Sequence, residues 1–504
     1  MVFIKRYLNE MLLSLGLLGA YLATRLYNIM SLPMFTDEAI YTRWAQIARY
    51  DASWRFISLT DGKQPSFVWL DMIIMRFVND PLLAGRLLSV LAGIVALVGI
   101  YFLASEIFKN KRIGYIAAVI YIIYPFSLVY DRMALYESLV SAVTIWALYL
   151  EILLIRLRRL DVALILGMVA GFGVLTKSSA FFAIYLLPFS ILLFNFKQKN
   201  WKQELLKWAA LAGLSAIMAY GFYSILRLSP FFHIIAEKTT IFVYPLRDWL
   251  SHPFEFFVGN LNGITDWFIA YTTIPTFILI LISFFLGDKK VLREKLFLFS
   301  WFIIPFVLLA LFGRVLYPRF ILFMIMPLLV LVAFSLNFIL DSVKTKLLKA
   351  GVFLAFVIFM LRSDFFILTD FANASISRSD TDQFMNEWPA GGGISEVISI
   401  LSTYAKTQKI YVASGGTFGS LPTYAMEIYL DENKNIEKRG IFPVPEDIPK
   451  DLLERAKTMP VYVFMSNQKE FENNLKSWPI KLIVEYKKGE GDAYTRLYEV
   501  IPSN

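Results

Sequence analysis

The sequence predicts an α-helical polytopic membrane protein of about eleven transmembrane helices, with interfacial helices in its first external loop and a C-terminal extracytoplasmic α/β domain. Three observations carry this. Eleven long apolar stretches run through residues 8–366, and a bilayer core takes about 20 apolar residues per helix. Nearly every second gap between them is packed with Lys and Arg, the mark of short cytoplasmic loops. Beyond residue 366 the chain turns polar, with short β-like runs separated by helical ones.

Composition agrees. Of 504 residues, 57% are hydrophobic, 16% aromatic and 18% charged; soluble domains carry about 25% charged residues. Mean hydropathy is +0.58. The net charge of +9, from 49 Lys and Arg against 40 Asp and Glu, reads as positive cytoplasmic loops and not as a nucleic-acid surface. With no Cys, disulfides, thiolate metal sites and cysteine nucleophiles are excluded.

The first span, 8–28, follows Lys5 and Arg6 and ends in Arg25-Leu26-Tyr27-Asn28. It exceeds the roughly 7–15 apolar residues of a signal peptide, so a retained span is expected. Further spans fall at 82–108, 112–129, 138–157, 161–176, 179–196, 206–226, 267–287, 296–312, 319–341 and 348–366. The basic gaps 109–112, 156–159, 197–207, 289–295 and 344–349 are assigned to the cytoplasm, together with the N-terminus. An odd number of spans puts the C-terminus outside. The expected setting is the cytoplasmic (plasma) membrane.

The expected organisation is therefore a membrane module over 1–366 and an extracytoplasmic domain over 367–504. β-like runs at 409–413, 461–465, 481–486 and 496–501, with a helical stretch at 394–405, suit an α/β domain. Gly391-Gly392-Gly393 opens one helix, and Gly415-Gly416-Thr417-Phe418-Gly419 follows one strand. The spacing fits neither dinucleotide nor P-loop patterns, and plain turns are the expectation.

The gaps on the other face carry different residues: Asp37 and Glu38, Lys63, Arg132 with Glu137, Lys177, and Arg319. In the first external loop, 29–81, Thr36 or Asp37 can cap a helix whose apolar positions Ile40, Trp44 and Ile47 recur at helical spacing. Such a helix lies along the membrane surface, with Asp37 and Glu38 favoured by its dipole. After Asp61-Gly62-Lys63-Gln64-Pro65 a second apolar run, 67–78, is too short to span. Pro65 suits its first turn. Each charge has a plainer reading as a cap, an ion-pair partner or a headgroup anchor.

Taken together, these motifs resemble the GT-C membrane glycosyltransferases, and within them the protein O-mannosyltransferase and aminoarabinose (lipid A) transferase families. The resemblance rests on the Asp37-Glu38 pair, the Lys63-Gln64-Pro65 element, Gly85-Arg86-Leu87-Leu88-Ser89 opening a span, Arg132 followed by Glu137, Leu175-Thr176-Lys177, and Tyr317-Pro318-Arg319-Phe320. It covers residues 1–340. The chain departs from the family in having Gly62 where Glu precedes the Lys, Glu137 where Asp is usual, and no MIR domain.

The resemblance implies a polyprenyl-phosphate-linked sugar donor and an acceptor hydroxyl on a protein, lipid or glycan, with membrane lipids as further partners. Breaking the sugar–phosphate bond builds oxocarbenium character on the sugar and charge on a phosphate whose second pKa near 6 lets it leave unprotonated. Cations must hold that charge: Lys63, Arg132, Lys177 and Arg319 are the candidates, with Tyr317 beside them. Asp37 is the expected base for the acceptor hydroxyl, Glu38 orients acceptor or cation, and Glu137 holds Arg132 or a sugar hydroxyl. Attack opposite the phosphate inverts the anomeric centre.

No cofactor is assigned with certainty, and a divalent metal stays open. His233 and His252, the only histidines, fall in the second long external loop, 227–266, near Glu237 and Asp248. A transporter is the alternative class; it would show ionisable or Gly/Pro-broken spans at mid-depth and related halves.

Overall fold

The computed structural model describes residues 2–416, 419–466 and 475–502. Thr417 and Phe418 of the glycine-rich turn, and the side chains of Lys5 and Arg6, lie outside the described residues. The chain divides into two compact units: residues 1–27, 53–70 and 86–377, and residues 28–52, 71–85 and 378–504.

The first unit is helical. Each of the eleven apolar stretches is helical, but only six described helices are by themselves long and apolar enough to cross a membrane: 81–107, 137–157, 201–228, 289–312, 318–342 and 346–369. The chain is an integral membrane protein. The expected count of eleven is not reached by single helices, for reasons the sequence contains. Pro125 separates Lys111–Ile123 from Pro125–Tyr130, with Tyr124 extended between them, because the residue before proline disfavours the α region. Phe257–Tyr271 and Ile274–Ser283 meet at 107°, with Pro275 in the first turn after the break. Leu160–Val174 has only 15 residues, and 178–193 is mostly 3₁₀ turns with Pro188 inside. Val2–Leu26 forms an unbroken 25-residue helix.

Four of the five basic gaps are linked by ion pairs, directly or through Glu106, which also takes Lys109. Arg156 pairs with Glu106 at 2.8 Å and approaches Glu294 at 4.0 Å, Arg158 pairs with Glu204 at 2.5 Å, Lys111 with Glu10 at 3.0 Å, and Arg112 with Asp341. These charges come from the ends of six helices and from Glu10 of the first.

The second unit is built on a five-stranded sheet: β1 Ile410–Gly415, β2 Ile436–Ile441, β3 Val461–Ser466, β4 Ile480–Lys487 and β5 Tyr494–Val500. The order is β2-β1-β3-β5-β4. β1 runs parallel to β2 and β3, whereas β5 runs antiparallel to β3 and β4. β1 and β3 are runs of β-branched and aromatic residues that suit a buried pleat. β2, with the sequence IEKRGI, was not expected as a strand. It is an edge strand, where charges are tolerated and guard against edge pairing. Gly393, at φ +81°, precedes the helix Ile394–Tyr404, a backbone state that glycine adopts at no steric cost.

The same unit includes the helix Thr36–Tyr50 from the first external loop. Its cap is Phe35, not Thr36 or Asp37. The Phe35 N–H donates to the Glu38 carboxylate at 3.0 Å, the backward half of a capping box.

Candidate functional site

Glu137 is the first residue of the helix Glu137–Leu157 and is buried. The Lys177 Nζ donates to its Oε1 at 2.6 Å, and the Arg319 Nε lies 3.9 Å from the same oxygen. Lys177 follows the helix Leu160–Val174, and Arg319 sits in the 3₁₀ turn Pro318–Ile321 that leads into the helix Leu322–Ser342. Three helix ends far apart in sequence therefore meet around one carboxylate.

Each cation also lies over an aromatic face. Lys177 stands 4.8 Å from the Phe320 ring centre, Arg319 stands 4.6 Å from Tyr317, and Lys63 stands 5.6 Å from Phe242. Phe242 and Phe320 pack edge to face at 6.0 Å. Such contacts hold a cation in place without neutralising it. Phe242 reaches this position because its segment pairs with the end of a later span, Leu292–Phe312: Arg314 N–H donates to the Phe242 carbonyl at 2.9 Å, and Tyr244 N–H to the Phe312 carbonyl at 2.8 Å.

Lys63 is delivered by a turn whose shape needs glycine. Gly62 has φ +67°, and a Cβ there would press into the Lys238 side chain, which is paired with Asp61. Below the turn, Leu59 is fully buried with Leu175, Leu226 and Ile235. The residues after Lys63 are tied to two other loops. The Tyr136 hydroxyl donates to the Gln64 carbonyl at 2.9 Å, the Gln64 amide to Ser178 Oγ at 2.8 Å, and the Ser66 N–H to the Leu175 carbonyl at 3.1 Å.

The electrostatics follow from crowding. Burial pulls the Lys177 ammonium below the usual lysine range; Glu137 opposes this, while Arg319 and Lys63 add to it. Counted over these four side chains, three cations and one carboxylate leave a net charge of about +2. An anion placed among them gains charge-assisted hydrogen bonds in a water-poor setting.

Arg132 has other contacts. It is buried, donates to the Thr24 carbonyl at 2.9 Å, and is held down to about 10 by burial first and then by Arg86 and Arg25. The expected hold of Glu137 on Arg132 is thus not seen, since the ion pairs of Glu137 are with Lys177 and Arg319. Neighbouring Asp131 instead takes Arg25 at 3.4 Å, Tyr121 at 3.1 Å, Tyr21 at 3.2 Å and Ser138 at 2.9 Å, a buried network that ties three helices together.

In the second unit, Asp37 occupies the first turn of Thr36–Tyr50. Glu38 is fully buried and accepts the Phe35 amide as a capping bond. The histidines do not pair: His233 Nδ1 lies 3.0 Å from the Pro230 carbonyl, and His252 Nδ1 lies 3.7 Å from Glu255. Among the described residues no group of three or more His, Asp or Glu side chains is placed to hold a metal. Tyr244, Asp248 and His252 line a shallow cavity of about 270 Å³ with Trp249, Glu255, Phe256, Leu311 and Arg314.

Sequence reasoning missed Phe242 and the loop ties of Gln64, Tyr136 and Ser178. Phe320 stood inside a recognised motif, but nothing in the sequence around Phe242 marks it.

Comparison with known proteins bears on the same region. The family described as dolichyl-phosphate-mannose-protein mannosyltransferase matches residues 62–223. The undecaprenyl phosphate-alpha-4-amino-4-deoxy-L-arabinose arabinosyl transferase of Pectobacterium atrosepticum is 25% identical over 338 residues. That match covers 63% of this chain and 58% of the relative, so the chain spans less than two thirds of that relative's length. ArnT from Cupriavidus metallidurans superposes over 98% of this chain and 99% of its own in the apo state, with a TM-score of 0.56 at 11% identity. Bound to undecaprenyl phosphate, it superposes over 98% of each chain, with a TM-score of 0.57 at 13% identity. The oligosaccharyltransferase AglB from Archaeoglobus fulgidus, in complex with an inhibitory peptide and a dolichol-phosphate, superposes over 93% of this chain and 70% of its own, with a TM-score of 0.54 at 14% identity. The chain has the GT-C fold, and its sequence is similar to an aminoarabinose transferase and to the O-mannosyltransferase family over the stretches given.

Proposed function

We propose that this GT-C chain is an inverting glycosyltransferase that moves a sugar from a polyprenyl-phosphate donor to an acceptor hydroxyl. The observation that carries the reading is the convergence of Lys177 and Arg319 on Glu137, with Lys63 close enough to act on the Lys177 charge and each cation over an aromatic ring. Their part is to take up charge on the departing phosphate, with Arg319 giving a bidentate hold. Glu137 keeps Lys177 and Arg319 aimed. Tyr317 backs the Arg319 guanidinium. Asp37, assigned by its place in the family's motif order, accepts the acceptor's proton as the hydroxyl attacks. Glu38 secures the helix that carries Asp37, and Arg132 supports the loop before Glu137.

Support also comes from the relatives: one acts on an undecaprenyl-phosphate sugar, and solved structures of this fold hold undecaprenyl phosphate or dolichol-phosphate. We place the reaction on the extracytoplasmic face of the cytoplasmic membrane, because the cluster lies on gaps that lack the basic signature of cytoplasmic loops. The sugar class, with a pentose as the first candidate, follows the arabinosyl relative.

The test is transfer in proteoliposomes from radiolabelled undecaprenyl-phosphate sugars, with mass spectrometry of the product. Asp37→Asn should abolish transfer, and Lys63→Ala and Arg319→Met should lower it by a hundredfold or more. Wild-type transfer by both Asp37→Asn and Lys63→Ala would overturn the roles. Solute flux without transfer would favour a transporter.

A further inference from the structure

We infer that the sheet-bearing C-terminal segment is the positioning element for the helix Thr36–Tyr50, with Arg43 as the chief positioning residue. This inference rests on the proposed role of Asp37 and adds a task for residues 378–504.

The start of the helix is fixed from two directions. Thr36 donates twice to the Pro389 carbonyl, through its N–H at 3.0 Å and its hydroxyl at 2.9 Å. Phe35 packs edge to face on Phe384 at 5.0 Å. Two residues on, Gly391 passes so close to Met34 that a Cβ there would strike the Met34 carbonyl. Its lack of a side chain thus lets the two backbones touch. This gives the triple glycine at 391–393 a job that its sequence did not reveal.

The middle of the helix is braced by charge. The Arg43 Nε lies 2.9 Å from Glu427 and its terminal nitrogen 2.9 Å from Asp431. The same guanidinium donates to the Glu427 carbonyl at 3.4 Å, and the Gln46 amide donates to the Ile428 carbonyl at 3.1 Å. Glu427 and Ile428 lie on the helix Leu421–Leu430, and Asp431 follows it and also takes Lys438 of β2 at 2.5 Å. A guanidinium fork on two carboxylates sets direction as well as distance. The buried face of Thr36–Tyr50, including Ala39, Trp44, Ala45 and Ala48, shows no accessible surface.

Asp37 lies one residue from the Thr36–Pro389 contact and six from Arg43. A base must hold its oxygen to within a fraction of an ångström of its working place. The contacts along this helix supply that restraint for the backbone of Asp37.

The test uses the full chain in proteoliposomes. Arg43→Ala, Arg43→Lys and the swap Arg43→Glu with Glu427→Arg are compared by hydrogen exchange over residues 36–50 and by transfer kinetics. Arg43→Ala should lose tenfold or more exchange protection in this helix. It should also lower kcat tenfold or more, with donor KM changed less than twofold. Arg43→Lys and the swap should restore part of both. Gly391→Ala is the second variant and should give the same pattern. Wild-type protection in Arg43→Ala, or lost protection with unchanged kcat, overturns the inference. An active Asp37→Asn enzyme would sink the proposed base and, with it, the catalytic purpose of the brace; the exchange result would still report whether the brace exists.

Discussion

Replacing Glu137 by Gln and Lys177 by Met, singly and together, measures whether the carboxylate holds the cations of the cluster. Glu137 is 5% exposed and Lys177 27%, at 2.6 Å. A charge-assisted hydrogen bond is worth about 1.5–3 kcal/mol, and breaking a fully buried pair on one side costs about 3–5 kcal/mol. Because Lys177 keeps a quarter of its surface, each single change should cost about 2–3 kcal/mol. Glu137→Gln leaves an ammonium flanked by Arg319 and Lys63. Lys177→Met leaves a carboxylate facing Arg319 at 3.9 Å. The double variant removes both charges and should cost less than the sum of the singles by about 2 kcal/mol, roughly thirtyfold in the folded ratio. The assay is denaturant unfolding of detergent-solubilised protein followed by tryptophan fluorescence, with undecaprenyl-phosphate binding read on each variant. Singles within about 0.5 kcal/mol of wild type, or additivity within that margin, would refute the account.

Four further outcomes are expected. Because the Lys177 pKa is lowered, its charge disappears at a pH below the usual 10.5; lipid-phosphate affinity should fall as pH rises through that lowered value, and Lys177→Arg should flatten this limb in a binding titration. Stability has the opposite sign there, since the unfolded chain still holds the proton. In the sheet-bearing unit, Lys488 is fully buried, donates to the Trp388 carbonyl and Ser466 Oγ at 3.0 and 2.7 Å, and is pulled down by burial to about 7. Stability should therefore rise between about pH 7 and 10.5 by up to about 1.4 kcal/mol per unit, and Lys488→Met should remove that slope in thermal scans at several pH values. Gly62→Ala should cost about 1–2 kcal/mol from the left-handed backbone alone, lowering Tm and lipid-phosphate affinity. Gly213→Ala, in a helix with open space at its Cβ, should leave affinity intact and raise Tm slightly.

Much of the membrane module was legible because its signals are local. Apolar length marks a span, and basic gaps mark one face. The charges on the remaining gaps sit beside helix ends, where Lys177 and Arg319 meet Glu137; that Glu137 takes these two and not Arg132 was not legible, because the choice depends on how the ends pack. The exact spans were less legible, since Pro125, Pro188 and Pro275 break helices without breaking hydropathy. β2 escaped because IEKRGI shows neither alternation nor an apolar run. Least legible was the partnership of Arg43 with Glu427, 384 residues apart, which no periodicity in a single sequence can reveal.

That separation has a consequence for biogenesis. Translation runs at about 5–20 residues per second, so the 384 residues from Arg43 to Glu427 take about 20–75 seconds to make. During that interval the Thr36–Tyr50 segment, which carries Tyr41 and Trp44, lacks the helix Leu421–Leu430 that later takes Arg43 and Gln46. The nascent chain must keep an aromatic-bearing segment soluble through the insertion of every later span. Premature termination before residue 427 should therefore yield a protein that inserts normally yet is cleared by proteases acting on its first external loop.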